Sequence, residues 1–588
     1  DKAIDVISRN PYSLADDIIG IGFKIADGIA AKIGIAPDSA FRIKAGIRYC
    51  LNAAANNGNV YLPMEMLVRK VSELLNISPE PISNEMTGMH IANYIWIDRT
   101  PEYENVYLNY FYYAESYVAR KLIELADMEL DNTGLYDDKI DALAYSQGIT
   151  FAKEQRLAII EAMSNGVLVI TGGPGTGKTT IINAIIQLSE AEGMEVTLAA
   201  PTGRAAKRME EATGHNAQTI HRLLGVTFLN EDSNRQTFCK NEEEPIETDI
   251  LIIDESSMID MELMASVLKA IPEGMKLILV GDIDQLPSVG CGNVLHEMID
   301  SNVVPIVRLK TIFRQAAESQ IIKNAHLINE GVVPSFKNNR NGDYFFMDVD
   351  GMEQERIRDY IVTYVCDNLP RYYNVGADEI QVLAPMKKGP TGVWELNDYI
   401  QNRINPPSAT KQIIPCNDHL LRVGDKVMYT CNDYDKKIFN GDVGKIVSIC
   451  LTQNEADDAD EDNADESAKR GFVVDFDGNR VHFNLSKAQD FILAYATTIH
   501  KSQGSEYDIV VMPLTTANYI MLQRNLLYTA VTRAKKVFVL FGQKNAVARA
   551  VKNLTVVNRN TRLGSRISED AGFLLEKQNT KKHERKTA

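Results

Sequence analysis

The sequence has no C-x-x-C pair, and its seven cysteines are scattered along 588 residues. This spacing argues against a zinc site or a disulfide framework and is typical of proteins of the reducing cytoplasm. The sequence also lacks any apolar run near the ~20 residues that a helix needs to cross a bilayer. No signal peptide is recognisable. We therefore expect a cytoplasmic protein without a membrane partner, built from roughly three to five domains.

Basic charge is also scarce, since 62 Lys and Arg stand against 79 Asp and Glu for a net charge of −17. This balance argues against a surface that binds nucleic acid everywhere, but a local basic groove can still hold a phosphate backbone. Eight of the acids lie in the run Glu455–Glu466, which has no base and which we interpret as a solvated loop. The last residues, from Lys577 to Lys586, form a basic tail.

One glycine-rich segment has the pattern G-x-x-x-x-G-K-[ST], at residues 172–179. It follows the apolar run 167–170 and precedes the apolar run 181–188, which is the strand–loop–helix context of a phosphate-binding loop. In such a loop backbone N–H groups surround the phosphates, Lys178 brings a charge to the terminal phosphates, and Thr179 offers a hydroxyl to Mg²⁺. The pattern predicts a site for a nucleoside triphosphate and Mg²⁺; an ordinary glycine-rich turn is the alternative. The nucleotide-contacting residues expected from it are Gly172, Gly173, Gly175, Thr176, Gly177, Lys178, Thr179 and Thr180.

From about residue 149 the sequence alternates short β-rich apolar runs with helical stretches, which predicts an α/β fold with two arrays, each around a parallel sheet. Two segments interrupt the arrays: a polar one at 226–247 and one at 421–485 that reads as a small β-barrel. The predicted strands of the arrays are 167–171, 195–200, 250–254 and 276–281 in the first, and 379–384, 508–513 and 537–541 in the second. The predicted strands of the barrel are Lys426–Thr430, Val443–Ile449, Gly471–Phe476 and Arg480–Phe483.

The first 148 residues precede the arrays. A glycine turn, Gly20-Ile21-Gly22, separates two helical segments in residues 1–60 and is typical of a helix-hairpin-helix, whose backbone N–H groups at Gly20 and Gly22 can hold a DNA phosphate. A plain helical hairpin is the alternative. Residues 61–148 are expected to be mainly helical, with helices at Leu62–Leu75 and Tyr112–Leu130. We interpret the aromatic cluster between Tyr107 and Tyr113 as core packing rather than as a surface that stacks bases.

Polar residues follow several predicted strands of the first array. Asp254 and Glu255 end an apolar strand, where an Asp can hold the Mg²⁺ shared with Thr179 and a Glu can deprotonate the attacking water. Gln285 follows another strand end and is suited to sense a γ-phosphate, since it has both a donor and an acceptor.

A second group of polar residues is suited to DNA. The segment Pro201, Thr202, Gly203 and Arg204 follows a strand and can grip phosphates through backbone N–H groups and the Arg, although Thr202 also suits a helix N-cap. His221 is either a residue that faces DNA or a core histidine, and the sequence leaves both open.

Taken in order, these motifs resemble those of superfamily 1 helicases, and within them the RecD-like group of superfamily 1B. Motif I is residues 172–179, motif Ia 201–205, motif II 254–258 and motif III 281–287. The resemblance extends to segments 311–315 (motif IV), 498–506 (motif V) and 528–534 (motif VI). It implies roles for residues that the pattern alone does not assign: Gln155 reads adenine, Arg314 contacts the γ-phosphate, Thr498, His500 and Lys501 contact DNA, Gly504 and Glu506 contact nucleotide, and Arg533 is the arginine finger.

The resemblance also implies an organisation and an activity. The expected domains are residues 1–60 (helix-hairpin-helix-like), 61–148 (helical, linking), 149–318 (first RecA-like domain, with a β-hairpin pin at 226–247) and 319–588 (second RecA-like domain, with an SH3-like insert at 421–485 and the basic tail). The N-terminal extension is of the kind found in free-standing RecD-like helicases. The implied activity is ATP-dependent 5′→3′ movement on single-stranded DNA next to a duplex, in DNA repair or recombination, by a monomer at the nucleoid. An ATP-gated DNA-binding protein that does not unwind and a superfamily 1 RNA helicase remain as alternatives.

Overall fold

The computed structural model describes residues 10–14, 21–128, 136–228, 236–312, 318–409, 411–416, 419–433, 436, 438–451, 470–554 and 558–573. Gly20, Arg314, the acidic run Glu455–Glu466 and the basic tail fall outside these ranges, so their predicted roles are not addressed by the structure. Among the described residues, every helix is too short or too polar to span a membrane.

The N-terminal part combines helices with one small sheet. Its helices are Phe23–Lys32, Ala40–Asn56, Met64–Leu75, Pro79–Ile91, Asn109–Ala126 and Asp137–Gln147, and its strands are β1 (Tyr61–Pro63), β2 (Ile95–Arg99) and β3 (Glu104–Leu108). The three strands form an antiparallel sheet in the order β1-β3-β2. Residues 61–148 are mainly helical, as expected, and the small sheet is an addition that the sequence did not predict: its strands are only three to five residues long, too short for alternation to stand out in the sequence.

A six-stranded parallel sheet forms the first array. The strands of this part are β4 (Val167–Gly172), β5 (Val196–Ala200), β6 (Ala217–Thr219), β7 (Val226–Phe228), β8 (Gln236–Phe238), β9 (Ile250–Ile253), β10 (Lys276–Gly281) and β11 (Ile306–Leu309). The order in the sheet is β11-β4-β10-β9-β5-β6. The predicted apolar runs are its central strands, because strands buried on both faces are continuously apolar. The helices are Lys153–Ser164, Lys178–Ala191, Gly203–Thr213, Ile220–Leu224, Met261–Lys269 and Val294–Asp300.

The polar interruption at 226–247 contains the antiparallel pair β7–β8. The residues between the two strands, 229–235, are outside the described ranges.

The second array is a five-stranded parallel sheet in the order β12-β23-β22-β13-β21. An antiparallel sheet in the order β19-β18-β17-β16-β20 and a hairpin β14–β15 are inserted into it. The strands are β12 (Tyr344–Asp348), β13 (Ile380–Ala384), β14 (Ile413–Cys416), β15 (His419–Arg422), β16 (Lys426–Tyr429), β17 (Val443–Cys450), β18 (Gly471–Phe476), β19 (Asn479–Phe483), β20 (Phe491–Leu493), β21 (Ala496–Thr498), β22 (Tyr507–Leu514) and β23 (Ala534–Gly542). The α-helices are Gln320–Asn329, Gln354–Thr363, Leu369–Tyr373, Val393–Ile404, Arg524–Thr532 and Lys544–Lys552. The insert is longer than predicted, since β14 starts before residue 421 and β20 lies beyond residue 485.

After the second array the chain returns to the N-terminal part. Residues 558–573, which we call the C-terminal strap, are helical from 563 to the end of the described range. Leu563 and Ile567 are fully buried in the same core as the N-terminal helices and the first array. The strap therefore connects the end of the second array to the N-terminal part and the first array.

Candidate active site between the two central sheets

The phosphate loop follows β4 and leads into the helix Lys178–Ala191. Gly175 and Gly177 have positive φ (75° and 80°), a backbone conformation that favours glycine, and Gly177 is the N-cap of the helix. The Lys178 Nζ donates to the carbonyls of Gly172 (2.6 Å) and Gly173 (3.2 Å). Thr179 and Thr180 are exposed on the first turn of that helix. The ammonium thus lies along the loop, with the Thr179 hydroxyl accessible beside it.

Gln155 is buried against this loop. Its Oε1 accepts from the Ala152 N–H (3.0 Å), and its Nε2 donates to the Thr176 carbonyl (3.1 Å). The Thr176 hydroxyl in turn donates to the Gly173 carbonyl (2.8 Å). Both amide atoms of Gln155 are therefore engaged by protein groups in this structure, so reading a base would require these bonds to exchange.

Asp254 and Glu255 follow β9 on the same edge of the sheet as the phosphate loop. Glu255 has φ 52° and ψ 36°, a left-handed conformation that is uncommon for residues other than glycine and that clusters at functional sites. Burial and the neighbouring Glu255 raise the pKa of Asp254. Burial also opposes ionisation of Glu255, but the Arg533 and Arg208 guanidiniums and Lys178 outweigh it and lower its pKa. Glu255 is thus held as a carboxylate, the form that a general base requires.

Arg533 reaches this carboxylate from the second array. It follows the helix Arg524–Thr532, is only 2% exposed, and places Nη1 3.6 Å from Glu255 Oε1. Its Nη2 donates to Gln285 Oε1, and its Nη1 donates to the Ser505 carbonyl (3.2 Å). Lys178, Glu255, Gln285 and Arg533, predicted from separate parts of the sequence, therefore lie in one cleft between the two sheets.

The seam beside Gln285 is closed by further hydrogen bonds between the arrays. The Tyr528 hydroxyl donates to Asp282 Oδ2 (2.9 Å), and the Thr529 hydroxyl accepts from the Leu286 N–H (2.9 Å). The Gln503 side chain donates to the Leu286 carbonyl (2.9 Å). A shift of the segment around Gln285 would therefore disturb these hydrogen bonds to the second array.

Arg208 is a functional candidate that sequence reasoning missed. Its Nη1 donates to Glu506 Oε1 (2.7 Å) on the second array, and its Nη2 lies 3.8 Å from Glu255 Oε1 on the first. It stands four residues after Arg204, so the two arginines share a helix face. That i, i+4 spacing was the one available signal. Arg208 bridges Glu255 and Glu506 across the cleft.

The predicted DNA-gripping segment is engaged in contacts between the arrays. Thr202 is a helix N-cap, with Oγ1 accepting from the Ala205 N–H (3.3 Å), and Pro201 lies directly before it. The Arg204 Nη1 donates to the hydroxyls of Ser505 (2.8 Å) and Tyr507 (3.1 Å). A Cβ on Gly203 would lie 2.6 Å from the ring of Phe439 in the barrel insert. The segment is therefore covered by the barrel on one side and bonded to the second array on the other.

The remaining predicted DNA contacts lie in three parts of the molecule: His221 on the first array, Thr498, His500 and Lys501 on the second, and Gly22 in the N-terminal part. Burial lowers the pKa of His221, and burial together with the Arg559 guanidinium lowers the pKa of His500, so both imidazoles are neutral at pH 7. Burial and the charge of Lys387 lower the pKa of Lys501, whose N–H donates to the Thr498 hydroxyl (3.4 Å). Gly22, the N-cap of Phe23–Lys32, faces open space where a Cβ would stand.

Sequence models of known domains match the chain along most of its length. The ATP-dependent RecD2 DNA helicase HHH domain matches residues 1–61 and an AAA domain matches 155–291. The ATP-dependent RecD-like DNA helicase SH3 domain matches 396–476, and the UvrD-like helicase C-terminal domain matches 493–541.

Whole proteins match as well. The ATP-dependent RecD2 DNA helicase of Deinococcus radiodurans is 33% identical over 555 residues, which cover 92% of this chain and 71% of that protein. The RecBCD enzyme subunit RecD of Mycolicibacterium smegmatis is 30% identical over 437 residues, 69% of this chain and 73% of that protein. Among solved structures, Bacteroides Pif1 bound to single-stranded DNA matches 68% of this chain and 94% of its own, at 21% identity and a TM-score of 0.40.

Proposed function

The chain belongs to the family of ATP-dependent RecD2 DNA helicases, and from that premise we propose that ATP hydrolysis in the cleft between its two central sheets drives it 5′→3′ along single-stranded DNA. The observation that carries the proposal is the contact of Arg533 with Glu255 across the cleft. It gives one site a base from the first array and an arginine from the second. Turnover then requires the sheets to be together, and their separation follows hydrolysis and release.

The chain's own residues divide the chemistry between them. Lys178 and the loop N–H groups bind the phosphates, and Glu255 orients and deprotonates the attacking water. Arg533 stabilises the charge that develops on the transferred phosphoryl group. Thr179 and Asp254 would hold Mg²⁺, which neutralises phosphate charge when bound. An exposed hydroxyl and a strand-end carboxylate fit this ion, because Mg²⁺ prefers oxygen ligands and takes several of them from phosphate and water.

Movement along DNA needs a grip that changes with the nucleotide. Arg204 and Arg208 stand on one helix of the first array and bond Ser505, Tyr507 and Glu506 of the second. Opening of the cleft would break these bonds beside the proposed DNA contacts at Thr202 and Lys501. We therefore assign the DNA contact that changes with the nucleotide to the boundary between the two arrays at Arg204 and Arg208. The helix-hairpin-helix turn at Gly22 would hold the adjoining duplex.

We assign strand separation to the hairpin β7–β8. The two ends of the hairpin are joined at its base, since the Cys239 N–H donates to the Gly225 carbonyl (2.9 Å) and the Lys240 N–H donates to the Leu224 carbonyl (2.9 Å), and Leu224 is buried in the core. A pair of strands fixed at its base and inserted into the array at a polar segment is suited to split a duplex. One chain contains both halves of the ATP site, so a monomer at the nucleoid suffices.

An unwinding assay with 5′-tailed and 3′-tailed duplexes tests the proposal. We expect ATP-dependent unwinding of the 5′-tailed substrate, ATPase activity stimulated by single-stranded DNA, and loss of both in Lys178→Ala. Deletion of the β7–β8 hairpin should abolish unwinding and spare translocation. Preferential unwinding of the 3′-tailed substrate would contradict the polarity. Stimulation by RNA rather than DNA would contradict the choice of track.

A further inference from the structure

The helix Gln320–Asn329 faces the ATP site from the second array. Ile321, Ala325 and Ile328 are buried in the core that also contains the helix Arg524–Thr532. A second face of the helix, with His326 and Asn329, contacts the first array, where the Asn329 side chain donates to Asp284 Oδ2 (2.5 Å). Side chains on this face therefore sit between the arrays.

His326 lies on that face, against the phosphate loop. The position that a Cβ would take on Gly173 is 3.7 Å from His326 Cε1, 4.0 Å from His326 Nε2 and 3.0 Å from the Tyr528 hydroxyl. A residue with a side chain has little room here. Because Gly173 has no side chain, the edge of the His326 imidazole can lie close to the loop backbone.

The Nε2 atom of His326 is buried and has no hydrogen-bond partner among the residues that the structure describes. Buried polar atoms are nearly always satisfied by protein, water or a bound group, because an unmade bond is costly. Across the loop, the Lys178 ammonium bonds the carbonyls of Gly172 and Gly173. An unpaired imidazole nitrogen and an ammonium therefore both lie beside Gly173.

We propose that His326 is a contact of the second array to the terminal phosphate of ATP, with its Nε2–H donating to a phosphate oxygen. The inference deepens the proposed function and rests on it. A phosphate fits because it accepts hydrogen bonds in several directions and is the group that the lysine of this loop motif binds. ADP lacks the terminal phosphate, so the contact distinguishes ATP from ADP.

The contact has a route to the rest of the cleft. Helix Gln320–Asn329 also holds Asp284 through Asn329, and Asp284 precedes Gln285, the partner of Arg533. Movement of His326 toward the phosphates would therefore also move, through Asn329 and Asp284, the segment that contains Gln285. His326 becomes a sensor that links the presence of the terminal phosphate to closure of the cleft.

Equilibrium binding of fluorescent mant-AMPPNP and mant-ADP to the full chain tests this assignment. His326→Asn should weaken mant-AMPPNP binding about tenfold, the range expected for a hydrogen bond to a charged group, and leave mant-ADP binding unchanged. His326→Gln, whose amide nitrogen can take the place of Nε2, should retain mant-AMPPNP binding. His215→Gln is the matched control, because its ring pairs with Glu190 on the surface.

Equal weakening of both nucleotides by His326→Asn, or no weakening of either, would overturn the assignment and leave His326 a packing residue. Should that variant fail to fold in a thermal melt, His326→Leu fills a similar volume without a donor and takes its place in the comparison. Because both probes report binding alone, a wild-type chain that fails to unwind DNA would contradict the proposed function without altering this result.

Discussion

At the scale of single residues, Glu255 combines backbone strain with charge. A left-handed conformation at a residue with a side chain costs about 1–3 kcal/mol and persists only where the surroundings enforce it. Here the enforcing groups include Arg533, 3.6 Å away, and Arg208, 3.8 Å away. The carboxylate is therefore both positioned and ionised by arginines of which one belongs to the opposite array.

Replacing Glu255 by Gln tests its role as the base. The amide keeps the shape of the side chain but cannot take a proton, so the hydrolysis step should slow by about 10²–10⁴ while nucleotide binding persists. Single-turnover hydrolysis and mant-AMPPNP binding separate the two effects. The exposed Glu247→Gln is the control, and a wild-type hydrolysis rate in Glu255→Gln would assign the base elsewhere.

Gly203 offers a test of how the barrel sits on the first array. An added methyl group would meet the Phe439 ring at 2.6 Å, and such overpacking costs about 1–3 kcal/mol. Gly203→Ala should lower the melting temperature, and Phe439→Ala in the same chain should relieve the added loss. Gly88→Ala, where the space is open, is the control. Purely additive effects of the two substitutions would show that the ring and the glycine do not meet.

Candidate residues whose chemistry belongs to a local motif could be proposed from the sequence, and the structure places three of them, Lys178, Asp254 and Glu255, near one another. The sequence could not identify Arg208 or His326. Arg208 matters because Glu506, almost three hundred residues later, lies beside it. His326 matters because Gly173 lacks a side chain. Both depend on tertiary neighbours that no local pattern contains.

At the scale of elements, the C-terminal strap was not predicted at all. Arg559 donates to the carbonyls of Ser288, Gly290 and Gly292, directly after the motif that carries Gln285. Further along, Arg566 pairs with Asp98 (2.7 Å) and Glu115 (3.0 Å) of the N-terminal part. The strap thus connects the N-terminal part with the loop that follows Gln285.

Glu297, a buried acid that contacts the strap, makes the stability of the folded protein dependent on pH. Its Oε2 accepts from the Gly564 N–H (2.9 Å), and burial raises its pKa from 4.5 to about 7. Because the pKa in the folded protein exceeds the unfolded value, its contribution to stability is complete below pH 4.5 and is lost as the pH rises through about 7. Glu297→Gln should remove that loss.

Urea unfolding at about pH 5 and about pH 8 measures the change. The stability of the wild type should fall relative to Glu297→Gln by about 1–3 kcal/mol between the two pH values. Glu273→Gln, at an exposed side chain on the first array, is the control and should follow the wild type. If the free energy of unfolding changed by the same amount between the two pH values in the wild type and in Glu297→Gln, Glu297 would not be the cause of the pH dependence.

Among the elements, the long apolar strands were predicted almost to the residue, whereas several short ones were not. β4, β10 and β22 are buried on both faces and therefore read as continuous apolar runs. β6 and β21 have three residues each, too few for a period to be recognised, and they are strands only because a neighbour pairs with them. The α/β architecture is confirmed, and the three-stranded N-terminal sheet is an element that the sequence did not predict.

At the scale of the whole molecule, the two arrays form one catalytic unit. Arg533 bonds Gln285, Arg204 bonds Ser505, and the strap reaches back over the first array. Each contact joins residues more than two hundred positions apart in the sequence. We expect ATP turnover to be coupled to relative motion of the arrays, because the proposed site is complete only when they are together.

The most direct test of this account is Arg533→Ala, studied by single-turnover ATP hydrolysis together with mant-AMPPNP binding. An arginine supplied across a cleft is worth about 10³–10⁵ in rate. We therefore predict that hydrolysis falls by that order while nucleotide binding stays close to the wild type, and that the exposed Lys536→Ala changes neither. Hydrolysis by Arg533→Ala at the wild-type rate would contradict the shared site and, with it, the coupling of the two arrays.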